Sequence, residues 1–218
     1  MSEKDNLNNK RVIDQLIEAR IHLGHRRSRW NPEMAPYIQG TREGIHVISL
    51  DKTATLLRRA LRVVATVVKN GGGILIVGNR RENALLVSAL GKRYRDHVSF
   101  VTTKWVGGTL TNWDTFTSAK KLLLSKRKTK NKRMSQYLQG FSEKVGQPDL
   151  IILLNVNNNR LAIKEANSLN IPTIGIVDTN SSPSDLTYPI PGNDDSVRSQ
   201  FFYCQALHYV INKSLQTD

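Results

Sequence analysis

"GGGILIVGNRREN", Gly71 to Asn83, places an unbroken apolar run, Ile74–Val77, between a glycine triplet and a polar loop. A strand with one wet face would alternate apolar and polar residues. A continuous run is what a strand buried on both faces requires, as in a parallel sheet. The flanks agree. Upstream, Leu56, Leu57, Ala60, Leu61, Val64, Val67 and Val68 recur at helical spacing behind Asp51, a candidate cap. The helix they predict stops at Gly71–Gly73, the residue type a left-handed C-cap favours. Downstream, a helix near Asn83–Tyr94 leads to the strand "VSFVT", and Thr111 can cap a helix running to about Ser125. Then come the apolar strand "DLIILLN", a helix over Arg160–Leu169 and the strand "TIGIV". A final helix over Asp194–Lys213 follows a candidate cap at Asn193. With "IHVISL" (Ile45–Leu50) as the first strand and an amphipathic helix over residues 12–23, strands alternate with helices. This order predicts a doubly wound α/β sandwich of three layers around a five-stranded parallel sheet, flavodoxin-like in strand order. Two segments fall outside that core: an irregular basic approach over residues 24–44, and an excursion over residues 120–147.

The 218 residues suit a single domain with a properly buried core, and 39% hydrophobic content is that of a globular chain. No apolar run nears the roughly 20 residues that span a bilayer. The opening "MSEKDNLNNK" has neither the apolar centre of a signal peptide nor an Arg-rich, acid-poor transit character. One cysteine, Cys204, excludes an internal disulfide and a multi-cysteine zinc site. Charge is the strongest compositional signal. Residues 1–133 hold 27 Lys and Arg against 10 Asp and Glu, whereas residues 134–218 hold 5 against 8. So uneven a distribution points to one face that meets a polyanion.

The stretch "HLGHRRSRWNP", His22–Pro32, raises three chemistries. Metal binding is disfavoured, because zinc needs three or four ligands and no third lies near His22 and His25 in sequence. Nucleotide binding at the strand ends is disfavoured too. No G-x-G-x-x-G or G-K-[ST] occurs, and the loop after "ILIVG" carries one glycine and two arginines. Asp194 and Asp195 resemble paired carboxylates, but neighbours on a helix do not face each other, and acids in a first turn favour its positive end. Polyanion binding collects the rest. Arg26, Arg27 and Arg29 precede Trp30, offering guanidinium groups for phosphates and a ring that either stacks on a base or sits in the core. Arg80 and Arg81 lie past one strand end, and Lys104 and Trp105 past the next, followed by Gly107–Gly108. Trp105 carries the same two readings as Trp30. Lys120, Lys121, Lys126, Arg127, Lys128, Lys130, Lys132 and Arg133 form either a phosphate-binding arm or a solvated charged loop.

Four stretches then carry a family resemblance. "EARIHLGHRRSRWNPEMAPYIQGTREGIHVISLDKT", "KWVGGTLTNW", "PDLIILLNVNNNRLAIKEANSLNIPTIGIVDTNSSP" and "IPGNDDSVRS" resemble, in order and spacing, the small-subunit ribosomal protein S2 family of bacterial and organellar type. The resemblance implies a structural, non-catalytic protein that binds small-subunit rRNA near the head–body junction beside neighbouring ribosomal proteins, with no small-molecule substrate, cofactor or membrane. It draws Asn112 into the expected rRNA-binding set. Only 34 residues separate Trp113 from Pro148, so the long helical hairpin of bacterial and plastid members is shortened here and basic. The tail after the last helix is short as well. Both departures look mitochondrial, with plastid or bacterial cytoplasm as the alternative. A free nucleic-acid-binding factor and a degenerate nucleotide enzyme are the competing classes.

Overall fold

A computed structural model describes residues 3–125 and 137–216. Helix α1 (Glu3–Glu18) precedes a small antiparallel sheet of β1 (Leu23–Arg26), β2 (Ile38–Arg42) and β3 (Ile45–Ile48), in the order β1-β3-β2. The remaining elements are α2 (Leu50–Lys69), β4 (Ile74–Val77), α3 (Arg81–Arg93), β5 (Val98–Val101) and α4 (Trp113–Ser125), then β6 (Leu150–Leu153), α5 (Arg160–Ser168), β7 (Thr173–Val177), β8 (Tyr188–Pro191) and α6 (Val197–Leu215). Strands β4 to β8 form one parallel sheet in the order β5-β4-β6-β7-β8. Renumbered from its first strand that order is 2-1-3-4-5, the flavodoxin-like winding. Among the described residues no helix is long and apolar enough to cross a membrane.

Strand β4 shows why the opening run decides the architecture. All four of its side chains are fully buried, and successive ones point to opposite faces. Ile74 and Ile76 join a core with α2, α3 and α6. Leu75 and Val77 join a second core with α5, Trp105, Tyr137 and Phe141. Burying each side chain stabilises the fold by about 1.5–3 kcal/mol, so a polar residue at any of the four would be felt. As expected from the glycine triplet, Gly71 closes α2 at φ +72°.

Four expectations are corrected. The parallel sheet has five strands, but "IHVI" is not among them: it is the centre of the antiparallel sheet. A two-residue turn, Glu43–Gly44, carries both residues at positive φ and pairs β2 with β3, the geometry of a tight hairpin. The basic approach over residues 24–44 is therefore ordered, as two strands of that sheet and two short helices, Arg27–Arg29 and Pro32–Tyr37, between them. The true fifth strand is β8, "YPIP". In a parallel strand alternate N–H groups point to one neighbour, and β8 pairs only with β7. Pro189 and Pro191 occupy the outward-facing positions, where no ladder donor is needed. The amphipathic segment near residue 12 begins and ends earlier than its pattern suggests, closing at Glu18 before Arg20 at φ +58°.

The excursion is corrected at its returning end. Tyr137, Leu138, Phe141 and Val145 are buried. Phe116 packs edge-on to Tyr137 and Phe141, at 6.0 and 4.8 Å between ring centres. Gly140 passes so close to β5 that an added Cβ would meet the Phe100 carbonyl oxygen.

Candidate nucleic-acid interface

The His22–Pro32 motif is fixed from beneath by the ends of β7 and β8. Thr179 receives the His25 N–H at 2.8 Å through its hydroxyl and the Asn31 N–H at 2.7 Å through its carbonyl. Asn31 donates to the Ser181 carbonyl and accepts from the Glu33 N–H, capping the short helix Pro32–Tyr37. Asn193 donates to the Leu23 carbonyl at 2.6 Å. Gly24 has no side chain because a Cβ there would lie 2.5 Å from Thr179 Cγ2. Histidine spacing thus reflects a strand pinned against a loop.

Between motif and sheet lies a charged cluster. His25 Nδ1 is 3.0 Å from Asp178 Oδ1, and His25 Nε2 is 3.1 Å from Asp195 Oδ2. These carboxylates, Asp178 first, push the imidazole pKa up to about 10, so His25 is a cation at neutral pH. His25 in turn holds Asp195 well below the usual carboxylate range. Asp194 is pushed the other way, up to about 8, by burial and then by the charge of Asp178. Arg80 Nη1 donates to the Asp194 carbonyl at 3.2 Å and pairs with the Asp195 carboxylate. At neutral pH two cations, His25 and Arg80, therefore face the carboxylates of Asp178 and Asp195, with Asp194 largely protonated beside them. His25, Asp178 and Asp195 bring ligand atoms within 4.8 Å of one another. The fold thus gathers the further metal-type donors that His22 and His25 lack in sequence, and it does so as an ion-paired cluster.

This cluster occupies the crevice at the carboxyl ends of the strands, where doubly wound folds hold ligands. Asn155, at the end of β6, donates to Asp194 Oδ2 at 2.6 Å. Gln200 donates to the Leu154 and Asp194 carbonyls and accepts from Asn83. Asn79 and Asn159 bond across the β4 and β6 ends at 2.9 Å. The crevice is filled by the chain's own side chains.

The basic residues sort into distinct groups. Arg26, Arg27 and Arg29 are exposed, as is Trp30, whose ring leans on His46 at 5.1 Å. Arg42 joins them: Arg26 and Arg42 both pair with Ile45, so the three lie in a row across one face of the small sheet. Sequence reasoning passes over Arg42, because only strand pairing brings it beside Arg26. Lys104, Asn112 and Lys121 are exposed. Arg81 is exposed but lines a groove on the helical face.

Three residues of the expected set are engaged within the fold. Arg80 is engaged by Asp194 and Asp195. Trp105 is buried and donates its indole N–H to Glu165 at 3.0 Å. Lys120 is buried, and its ammonium donates to the Phe141 carbonyl at 2.6 Å, with burial lowering its pKa. Lys126, Arg127, Lys128, Lys130, Lys132 and Arg133 lie outside the described residues.

The expected cap at Asn193 is displaced too. Helix α6 starts at Val197, and no acid lies in its first turn. Asn193 Oδ1 instead accepts from the Asp195 and Ser196 N–H groups in the loop before the helix. A carboxylate that sequence reading missed organises the "KWVGGTL" loop. Glu165 accepts from Trp105, from the Gly108 N–H at 2.9 Å and from the Leu110 N–H at 3.0 Å. Its signal was an acid at i+3 from Ala162 on the buried face of α5.

Fold and site define a class: a flavodoxin-like sandwich whose ligand crevice is closed by its own polar network and whose added sheet displays arginines. Comparison with known sequences gives the family. The model for ribosomal protein S2 matches residues 16–214. The protein named small ribosomal subunit protein uS2 of Gluconobacter oxydans is 41% identical over 211 residues, covering 88% of this chain and 79% of its own. Those of Anaplasma phagocytophilum and Rhodospirillum centenum are 38% and 37% identical, covering 94% and 95% of this chain. The chain belongs to the ribosomal protein S2 family.

Proposed function

We propose that this chain is a structural, non-catalytic component of the small ribosomal subunit, held there by rRNA and by neighbouring ribosomal proteins. The family match over residues 16–214 carries the reading. The rRNA-facing surface is assigned to the small sheet and the short helix Arg27–Arg29 that follows β1, where Arg26, Arg27, Arg29 and Arg42 stand beside Trp30, with Lys104, Asn112 and Lys121 as further contacts. Its support is physical. Exposed guanidinium groups on a pinned sheet meet phosphates at little conformational cost, and a half-exposed indole offers a stacking face. A location near the head–body junction and in mitochondria is part of the same proposal, the latter resting on the short span between Trp113 and Pro148.

Changing Arg26, Arg27 and Arg29 together to alanine tests the surface. The salt dependence of binding to small-subunit rRNA should flatten by up to about three units of slope. An unchanged slope would turn these arginines towards solvent or protein. Residence of the chain in small subunits through a high-salt wash separates a ribosomal component from a free binding factor. Saturable binding of a mononucleotide would favour the enzyme reading instead.

A further inference from the structure

At the far edge of the parallel sheet lies a crevice that the rRNA-facing surface does not use. About 550 Å³ in volume, it opens between α3 and the returning segment at Gln139–Gly140, beside the edge strand β5. That volume falls within the roughly 300–1,000 Å³ of ligand sites. Half-buried Phe100 lies in its lining, with a glycine on either side. An added Cβ on Gly91 would overlap Phe100 Cδ1, and one on Gly140 would overlap the Phe100 carbonyl oxygen. Backbone therefore grips this residue, and neither glycine sends a side chain over its ring. Ser88, Thr102 and Thr103 bring hydroxyls to the lining, and Lys92 and Arg95 bring two exposed cations. No acid is among the described residues that line it. Asp96, next to Arg95, is paired with Lys144 at 2.9 Å.

We propose, resting on the rRNA-binding reading above, that this crevice takes one unstacked nucleotide of single-stranded rRNA, its base against Phe100 and its phosphates on Lys92 and Arg95. An aromatic ring offers any base a stacking face, and guanidinium and ammonium groups hold the backbone on either side. Hydroxyls suit the polar edges of a base, since each both donates and accepts. A base within a duplex is already stacked and paired, so only a loop, bulge or end can supply one. A protein strand cannot add here, because outward N–H groups of β5 are already engaged. Phe100 donates to the Gly140 carbonyl and Val98 to the Tyr94 carbonyl, both at 2.8 Å. A protein surface would also find few apolar anchors, since Val98 and Phe100 are the only such side chains in the described lining. Lys104, in the rRNA-facing set, directly follows Thr103. The small sheet is pinned at β7 and β8, whereas β5 is the opposite edge, four strand spacings or roughly 19 Å from β8. The chain thus holds rRNA at two separate places.

The test measures binding of the full chain to fluorescein-labelled decauridylate and to an abasic ribose-phosphate decamer of equal charge, by fluorescence anisotropy. Trp30→Ala serves as the background, because it removes the exposed ring of the small sheet's surface. In that background decauridylate should still bind at least about fivefold more tightly than the abasic strand, the lower end of what one stacked base contributes. Phe100→Leu, which keeps an apolar side chain against the core, should abolish that preference. Ser88→Leu, a change at a half-exposed position of α3 that leaves Phe100 in place and fills the crevice, should abolish it as well. Lys92→Gln with Arg95→Gln should lower the salt slope by up to about 1.4 units. A preference that vanishes with Trp30→Ala, or one that survives Ser88→Leu in a normally melting chain, would overturn the proposal. Displacement of decauridylate by uridine monophosphate at equal nucleotide concentration would make this a free-nucleotide site and overturn it too. So would equal displacement by a glutamate decamer peptide, which would reduce the attraction to charge. Failure of the wild-type chain to bind either strand would overturn the rRNA-binding reading along with it.

Discussion

Replacing Glu165 with alanine removes the shared acceptor of three N–H groups and so tests how the "KWVGGTL" loop is held. Glu165 is 7% exposed, and its oxygens lie 3.0, 2.9 and 3.0 Å from Trp105 Nε1, Gly108 N and Leu110 N. Each buried donor left unpaired costs about 1–3 kcal/mol. Trp105 and Leu110 are buried and would bear that cost, whereas Gly108 is half-buried and open to repair by water. The expected loss is roughly 3–5 kcal/mol, a large share of the roughly 5–15 kcal/mol of a typical domain. Glu165→Gln separates acceptor from charge. Its carbonyl can still serve Trp105 and Gly108, and only the bond to Leu110 meets an amide donor, for about 1–2 kcal/mol. Urea unfolding followed by tryptophan fluorescence measures both, and hydrogen exchange at Gly108 and Leu110 should quicken in the alanine variant. A loss under about 1 kcal/mol for alanine, or equal losses for both variants, would refute the reasoning.

Two further outcomes follow from the geometry. Asn193→Ala removes the bonds to Leu23, Asp195 and Ser196 at once and should lower stability by about 1–3 kcal/mol in urea unfolding. Helix content by circular dichroism should stay unchanged, because Asn193 stands outside α6. Cys204 is buried, and burial pushes its thiol pKa from 9.0 up to about 12. A raised thiol pKa stabilises the fold below pH 9.0, and that contribution is lost as pH rises through about 12. Iodoacetamide at pH 8 should therefore label the folded chain far more slowly than the urea-unfolded chain, and equal rates would contradict the burial.

Much of the architecture was legible because it rests on local periodicity. "ILIV", "LIILL" and "IGIV" are unbroken by any polar residue, and the helices between them keep a 3.6-residue period, so a parallel sheet follows from neighbours in sequence. Three things depended on contacts between distant residues. The two prolines of "YPIP" argue against a strand until the edge of the sheet supplies positions where no N–H is needed. "IHVI" reads as a strand in either sheet, and the Glu43–Gly44 turn decides which one. The basic residues that pattern alone made equivalent were separated by what lies opposite them. Arg80 meets Asp194 and Asp195, which are 114 and 115 residues away, and Lys120 meets the Phe141 carbonyl, 21 residues away. Arg26 stays exposed and gains Arg42 through a shared partner, Ile45. Composition determined that the chain has a cationic side. Which cations remain outside was decided by tertiary packing, because a buried charge must find its partner within the fold.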